Sequence, residues 1–331
     1  ARAIGEIVLV LDTSAGGGQR ALDRSVAFSK ALLAELPEEL KKRAKVTVLT
    51  SDLTTRACSE RGSVDAIDAC FKDLIAAGAS DLGALADALE RELAAASAPK
   101  QVIYIGDGRA THGEVRPYQL TQAFAQAVGE THRLHTVSVG LQADEDFLRA
   151  LATRSGGLSV RLPSSIDPDD SLSPRRIIDA MMRPPVRIEK VEGIGAEGSR
   201  LVPSSSFGVI PGEPILLTGR VDSEKSAKLV LEGTREGQPF RQEIELGVSQ
   251  RALNPAVSNI EARRWHRELA RQGGTLDELA ELAIKDQVLG PRTHWVTVGN
   301  RAANAETLAE TITRTSHHTF SLLDIASFEV R

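Results

Sequence analysis

Three short stretches hold the residues best suited to chemistry: Asp12-Thr13-Ser14-Ala15-Gly16, Gly78-Ala79-Ser80-Asp81 and Gly106-Asp107-Gly108. The first and third follow apolar runs that read as strands, and the second precedes a helical pattern. In an open parallel sheet, ligands bind outside the carboxyl ends of the strands. Gathered on that edge, Asp12 and Asp107 offer carboxylates while Ser14 and Ser80 offer hydroxyls. An all-oxygen set of low charge suits a hard octahedral cation that keeps some of its waters, so Mg²⁺ or Mn²⁺ is the expected cofactor. Each residue alone has a plainer use, Asp12 and Asp107 as caps of the helices after them and Ser80 as a helix N-cap. It is the set, in this order at strand ends, that points to a metal site.

The glycines after Asp12 support a rival. Gly16-Gly17-Gly18-Gln19-Arg20-Ala21 fits G-x-G-x-x-A between a strand and a helix, an arrangement that sets a pyrophosphate on a helix N-terminus. The acidic residue that should hold a ribose about 20 positions on is missing. Asp52, the nearest candidate, lies 36 residues beyond Gly16. No Lys-Ser/Thr pair follows the glycines, which removes a Walker loop. His317-His318 reads as a solvated pair and His112 as polar loop surface. No Gly-x-Ser-x-Gly elbow, paired catalytic carboxylates or Cys-His signature stands out, so no catalytic residue is assigned.

Alternating strand and helix patterns position the oxygen ligands. Ile7 to Leu11, Val46 to Leu49, Val102 to Ile105, His135 to Val139 and Leu158 to Leu162 read as strands. Between and after them, helical patterns run from about Arg20 to Leu36, around Cys70 with Val64, Ile67, Phe71, Leu74 and Ile75, from Leu82 to Leu93, Tyr118 to Val128, Phe147 to Ala152 and Ile177 to Met182. This order predicts an α/β fold, a doubly wound, mostly parallel sheet covered on both faces, over residues 1–182. Arg183-Pro184-Pro185 then ends the helical period. Residues 183–331 begin with period-two segments at Val186 to Val191, Ile215 to Leu217, Lys228 to Leu231 and Ile244 to Leu246, which predict a smaller antiparallel β unit. Helices from about Ile260 to Ala270 and Leu276 to Ile284 follow, with closing strands at Trp295 to Val298 and Phe328 to Val330. Trp265 and Trp295 are expected to anchor this tail on the first domain.

At 331 residues and 41% hydrophobic, the chain suits roughly two domains with cores of their own. Its 40 Lys and Arg against 45 Asp and Glu leave −5, so no global charge draws it to nucleic acid or anionic lipid. The longest apolar run near its start is far shorter than the ~20 residues of a spanning helix. The chain opens at Ala1 without Met, which suggests a piece of something longer whose targeting signal lies outside it.

Asp12-Thr13-Ser14 resembles the start of the Asp-x-Ser-x-Ser motif of von Willebrand factor A domains. Ser80 stands where that family places its Thr, Asp107 where it places its second Asp, and residues 106–114 are similar to the loop after it. The resemblance implies a metal-ion-dependent adhesion site at Asp12, Ser14, Ser80 and Asp107. Gly16 replaces the second Ser, which removes one hydroxyl ligand and implies weak cation binding. Val209 to Pro214, Phe240 to Gln242, Ala262 to Trp265, and Leu279 to Trp295 look like segments that follow the A domain in inter-alpha-trypsin-inhibitor heavy chains and their bacterial relatives. The Asp-Pro-His-Phe junction of the animal chains is absent, which favours a bacterial envelope protein. The resemblance thus implies a non-enzymatic adhesion module, periplasmic, cell-surface or secreted, that captures a carboxylate of a protein or matrix partner through the cation. A metal-assisted hydrolase and a structural domain with a vestigial site are the alternatives. With an oxidising compartment implied, Cys58 and Cys70 are expected to pair; in a reducing one they would remain two thiols.

Overall fold

The run EIVLVLD forms the central strand β1 (Glu6–Asp12), and its alternation sets the layers around it. Ile7, Leu9 and Leu11 face one core, Val8 and Val10 the other, so both faces of the strand are dry. Burying each such side chain contributes about 1.5–3 kcal/mol. The computed structural model describes residues 5–162, 172–194, 200–204, 206–213, 215–221, 227–235, 237–246, 255–290 and 318–321.

After β1 come α1 (Gly18–Ala34), α2 (Glu38–Arg43), β2 (Lys45–Ser51), β3 (Thr55–Gly62) and a 3-10 helix at Val64–Phe71. Then follow α3 (Leu82–Ala94), β4 (Lys100–Gly106), α4 (Pro117–Val128), β5 (Arg133–Ser138), α5 (Glu145–Ser155), β6 (Ser159–Arg161) and α6 (Leu172–Met182). The six strands lie in the order β3-β2-β1-β4-β5-β6, all parallel neighbours except the antiparallel edge strand β3. Apolar residues of α1 and α6 fill the core on one face, and those of α3, α4 and α5 fill the other. This is the expected doubly wound α/β arrangement. The strand order reverses beside β1 and β4, the place where such sheets open a crevice for a ligand.

Cys58 lies in the edge strand β3, and Cys70 sits on the 3-10 helix that follows it. The two are joined by a disulfide with Cα atoms 5.6 Å apart, inside the window that bridge geometry allows. It ties the 3-10 helix to the edge strand.

Beyond Pro185 the chain forms β7 (Val186–Ile194), β8 (Leu201–Val202), β9 (Phe207–Val209), β10 (Thr218–Val221), β11 (Ala227–Arg235) and β12 (Gln238–Leu246). An antiparallel sheet of order β12-β11-β7-β9 closes over Val186, Ile188, Phe207, Leu229 and Leu231. A smaller sheet pairs β10 with β8 and with β13 (His318–Ser321). Between them run α7 (Pro255–Arg271) and α8 (Leu276–Lys285), the latter started by a capping box of Thr275 and Glu278. The tail helix docks on the α/β layer: Arg267 pairs with Asp146, and Arg271 Nη2 donates to the Asp146 carbonyl at 3.3 Å. Trp265 lies under the Arg200 guanidinium, 5.7 Å from its ring centroid. The closing strands expected at 295–298 and 328–330, and with them Trp295, lie outside the described residues.

Candidate metal centre

Asp12 is the last residue of β1, and Asp107 is the first after β4, so the parallel register of these neighbours delivers two carboxylates to the same edge. Asp12, Ser14, Gly106 and Asp107 line one small cavity there. Asp12 is 9% exposed and Asp107 7%. Ionised carboxylates at such burial are costly without compensation. Among the described residues, no lysine or arginine forms an ion pair with either.

Neither aspartate caps a helix. Asp12 Oδ1 accepts the Ser14 N–H at 2.9 Å, and its Oδ2 accepts the Tyr104 hydroxyl at 2.9 Å. Asp107 Oδ1 accepts the Arg109 N–H at 2.9 Å, and the Asp107 carbonyl accepts the Asp144 N–H at 2.7 Å. The loop is therefore fastened on both sides of the carboxylate, which is turned inward. Burial, opposed by the Arg109 N–H and reinforced by the charge of Asp12, pushes the Asp107 carboxyl up to about 6. Burial and the two aspartates hold the Tyr104 phenol well above its ordinary value, so it stays a neutral donor.

Glycine is required beside this pair. A Cβ on Gly106 would stand 2.8 Å from Asp12 Oδ2. A Cβ on Gly16 would stand 2.9 Å from Asp107 Oδ2 and 3.8 Å from Ser14 Oγ, so position 16 opens toward the same oxygens. A pyrophosphate on the glycine loop would meet the Asp107 carboxylate, which argues against the dinucleotide reading.

Ser80 is buried in the adjoining loop and does not line that cavity. The two loops are stitched together, Ala15 N–H to the Gly78 carbonyl and Ala77 N–H to the Thr13 carbonyl, both at 2.9 Å. Ser80 N–H donates to Thr111 Oγ1 at 2.9 Å, and the Ser80 carbonyl accepts the Thr111 and His112 N–H groups. The N-cap of α3 is Asp81, which accepts the Ala84 N–H at 2.9 Å, so Ser80 does not serve as the cap. Sequence reasoning missed Tyr104 and Thr111. A lone tyrosine in an otherwise aliphatic strand, two residues before Gly106, was the available signal for the first.

The donor set of two carboxylates with neighbouring hydroxyls fits a hard divalent cation. Among the described residues, no group of three or more His, Cys, Asp or Glu side chains could hold a metal. Any cation here must therefore draw on hydroxyls and water.

The family model of the von Willebrand factor type A domain matches residues 5–160. Among solved structures, a von Willebrand factor type A protein from Catenulispora acidiphila is similar, at 15% identity and TM-score 0.48, over 86% of this chain and 80% of that one. The ArnB paralog VWA2 from Sulfolobus acidocaldarius is similar at 14% identity and TM-score 0.41, over 87% and 82%. Proximal thread matrix protein 1 from the mussel byssus, with a zinc-occupied MIDAS motif, is similar at 13% identity and TM-score 0.41, over 54% and 46%. No curated protein matches the chain.

Proposed function

We propose that this chain is a non-enzymatic binding module that captures an acidic group of a protein or extracellular-matrix partner through a divalent cation, Mg²⁺ or Mn²⁺. Its ligands in this reading are Asp12, Ser14 and Asp107, with Ser80 in the adjoining loop reaching the ion through water. The observation that carries this reading is the pair of buried carboxylates at the reversal point of the sheet, set among hydroxyls and without a partnering base among the described residues. When bound, the cation supplies a Lewis-acidic centre for a carboxylate oxygen of the partner. Tyr104 and the Ser14 N–H hold Asp12 in orientation, and the Arg109 N–H holds Asp107. Gly16 withholds a hydroxyl, so the site is partly degenerate and its cation is weakly bound.

The disulfide supports a periplasmic, cell-surface or secreted location, since such bridges persist in oxidising compartments. Among the described residues no helix is long and apolar enough to cross a membrane. The β unit and helices after Pro185 support a place beside the bacterial relatives of inter-alpha-trypsin-inhibitor heavy chains, with the division into 1–182 and 183–331 falling at Arg183. Thermal unfolding with added Mg²⁺ or Mn²⁺ tests the reading: the midpoint should rise by ligand linkage in the wild type and stay fixed in Asp107→Ala. A wild type unmoved at millimolar cation would favour a structural domain with a vestigial site.

A further inference from the structure

Away from the strand ends, a cavity of about 620 Å³ lies between the α/β layer and the β-plus-helix part. Its volume falls in the range of small-molecule sites. Leu158 and Ala150 line it from one side, and Val202, Phe207 and Leu216 from the other. These give it an apolar body.

Charge is unevenly distributed around that body. Six arginines line the cavity against three carboxylates, and the carboxylates already have partners. Asp146 pairs with Arg267, Glu213 with Arg176 at 2.7 Å, and Glu268 accepts from Ser204 at 2.7 Å and faces Arg271 at 3.5 Å. Arg264, in the middle of α7, is different. Its Nη2 donates to the Leu216 carbonyl at 2.9 Å, while its Nε is buried with no hydrogen-bond partner. Burial, with repulsion from Arg149 and Arg271, lowers its pKa to about 10.

With the carboxylates of the lining already paired, the arginines leave an excess of positive charge facing the cavity, and a guanidinium matches a carboxylate or phosphate in geometry as well as charge. We propose that this cavity binds a small amphipathic anion, its carboxylate or phosphate head on Arg264 and its apolar body against Val202, Phe207 and Leu216. Such an occupant neutralises the crowding of Arg149, Arg264 and Arg271. It covers the apolar wall in the same event. The site uses none of the oxygens around Asp12 and Asp107, so it stands independently of the metal reading.

The test is calorimetric titration of the full chain with decanoate, decyl phosphate and decanol, each below its aggregation concentration. Decanoate, decyl phosphate or both should bind one to one, and the stronger of the two identifies the head group. Decanol should bind at least tenfold more weakly. Arg264→Met should weaken the anion at least tenfold with cooperative unfolding retained. If that variant fails to fold, Ala150→Phe decides, since it fills the cavity from α5 without removing a charge and should also weaken binding tenfold. Absence of saturable one-to-one binding by both anions would overturn the proposal. So would decanol binding as tightly as the anions, or wild-type affinity in the folded variants.

Discussion

Replacing Asp107 by Asn removes one charge from a buried pair yet keeps an oxygen to accept the Arg109 N–H, 2.9 Å away. The carboxyl stands at about 6 in the fold against an ordinary 3.8, mainly because of burial. A raised value in the folded state means that the proton favours folding. That contribution is fully present below pH 3.8 and is lost as pH rises through 6. By linkage the interval corresponds to ~3 kcal/mol, as an upper bound. In chelator at pH 7, Asp107→Asn should therefore be more stable than wild type by up to that amount. At roughly 2–4 °C per kcal/mol for a domain of this size, the midpoint should rise by up to about 6–12 °C. Near pH 4 the two proteins should converge. Saturating Mg²⁺ should stabilise wild type at pH 7 and leave the variant unchanged, because a cation compensates the same buried charge that the amide removes. Differential scanning calorimetry at the two pH values, with chelator and with Mg²⁺, measures the four midpoints of each protein. A variant less stable than wild type at pH 7 in chelator, or a difference that ignores pH, would refute the reasoning.

Gly16→Ser should tighten Mn²⁺ about fivefold, on an extra hydroxyl ligand worth about 1 kcal/mol, because the new Cβ points between Asp107 Oδ2 and Ser14 Oγ. Calorimetric titration reads it, and an unchanged constant would place residue 16 outside the cation's reach. His135 is buried, accepts the Leu158 N–H on Nδ1 at 3.1 Å and meets Gln101 Oε1 at 3.0 Å through Nε2. Burial, then the Arg133 charge, lowers its pKa to about 3 from 6.5, so its contribution is present above 6.5 and lost as pH falls toward 3. Between pH 7 and 4.5 this costs about 2.5 kcal/mol; urea unfolding should show that loss shrink in His135→Gln, and an equal loss in both proteins would count against it. The double substitution Cys58→Ser, Cys70→Ala should lower stability by about 3 kcal/mol in the chain-entropy model, seen as a lower urea midpoint under oxidising conditions. An unmoved midpoint would mean that the bridge adds nothing.

β1 and β4 were legible because a strand buried on both faces reads as an unbroken apolar run, and Asp12 and Asp107 became visible as the residues that end those runs. β3 was not, because TRACSERG is an edge strand with most of its side chains exposed and holds its place by backbone pairing to β2. Tyr104 eluded the sequence for a related reason. Its hydroxyl reaches Asp12 only because β4 sets it opposite Val10, two residues before that aspartate, and register is a property of two strands together. Ser80 was found by its place before a helix, but the capping role fell to Asp81, one residue on. The arginine-lined cavity had no sequence signal, since Ala150, Leu216 and Arg264 meet only when α5, the segment leading into β10, and α7 are packed.

Electron paramagnetic resonance of Mn²⁺ tests the central claim most directly, because the six-line signal of the free ion fades as the ion binds. Titrated into the full chain at neutral pH, wild type should remove about one equivalent of free signal, and Asp12→Ala and Asp107→Ala should remove none. Signal undiminished by wild type at millimolar Mn²⁺, or diminished equally by all three proteins, would contradict a cation held between Asp12 and Asp107.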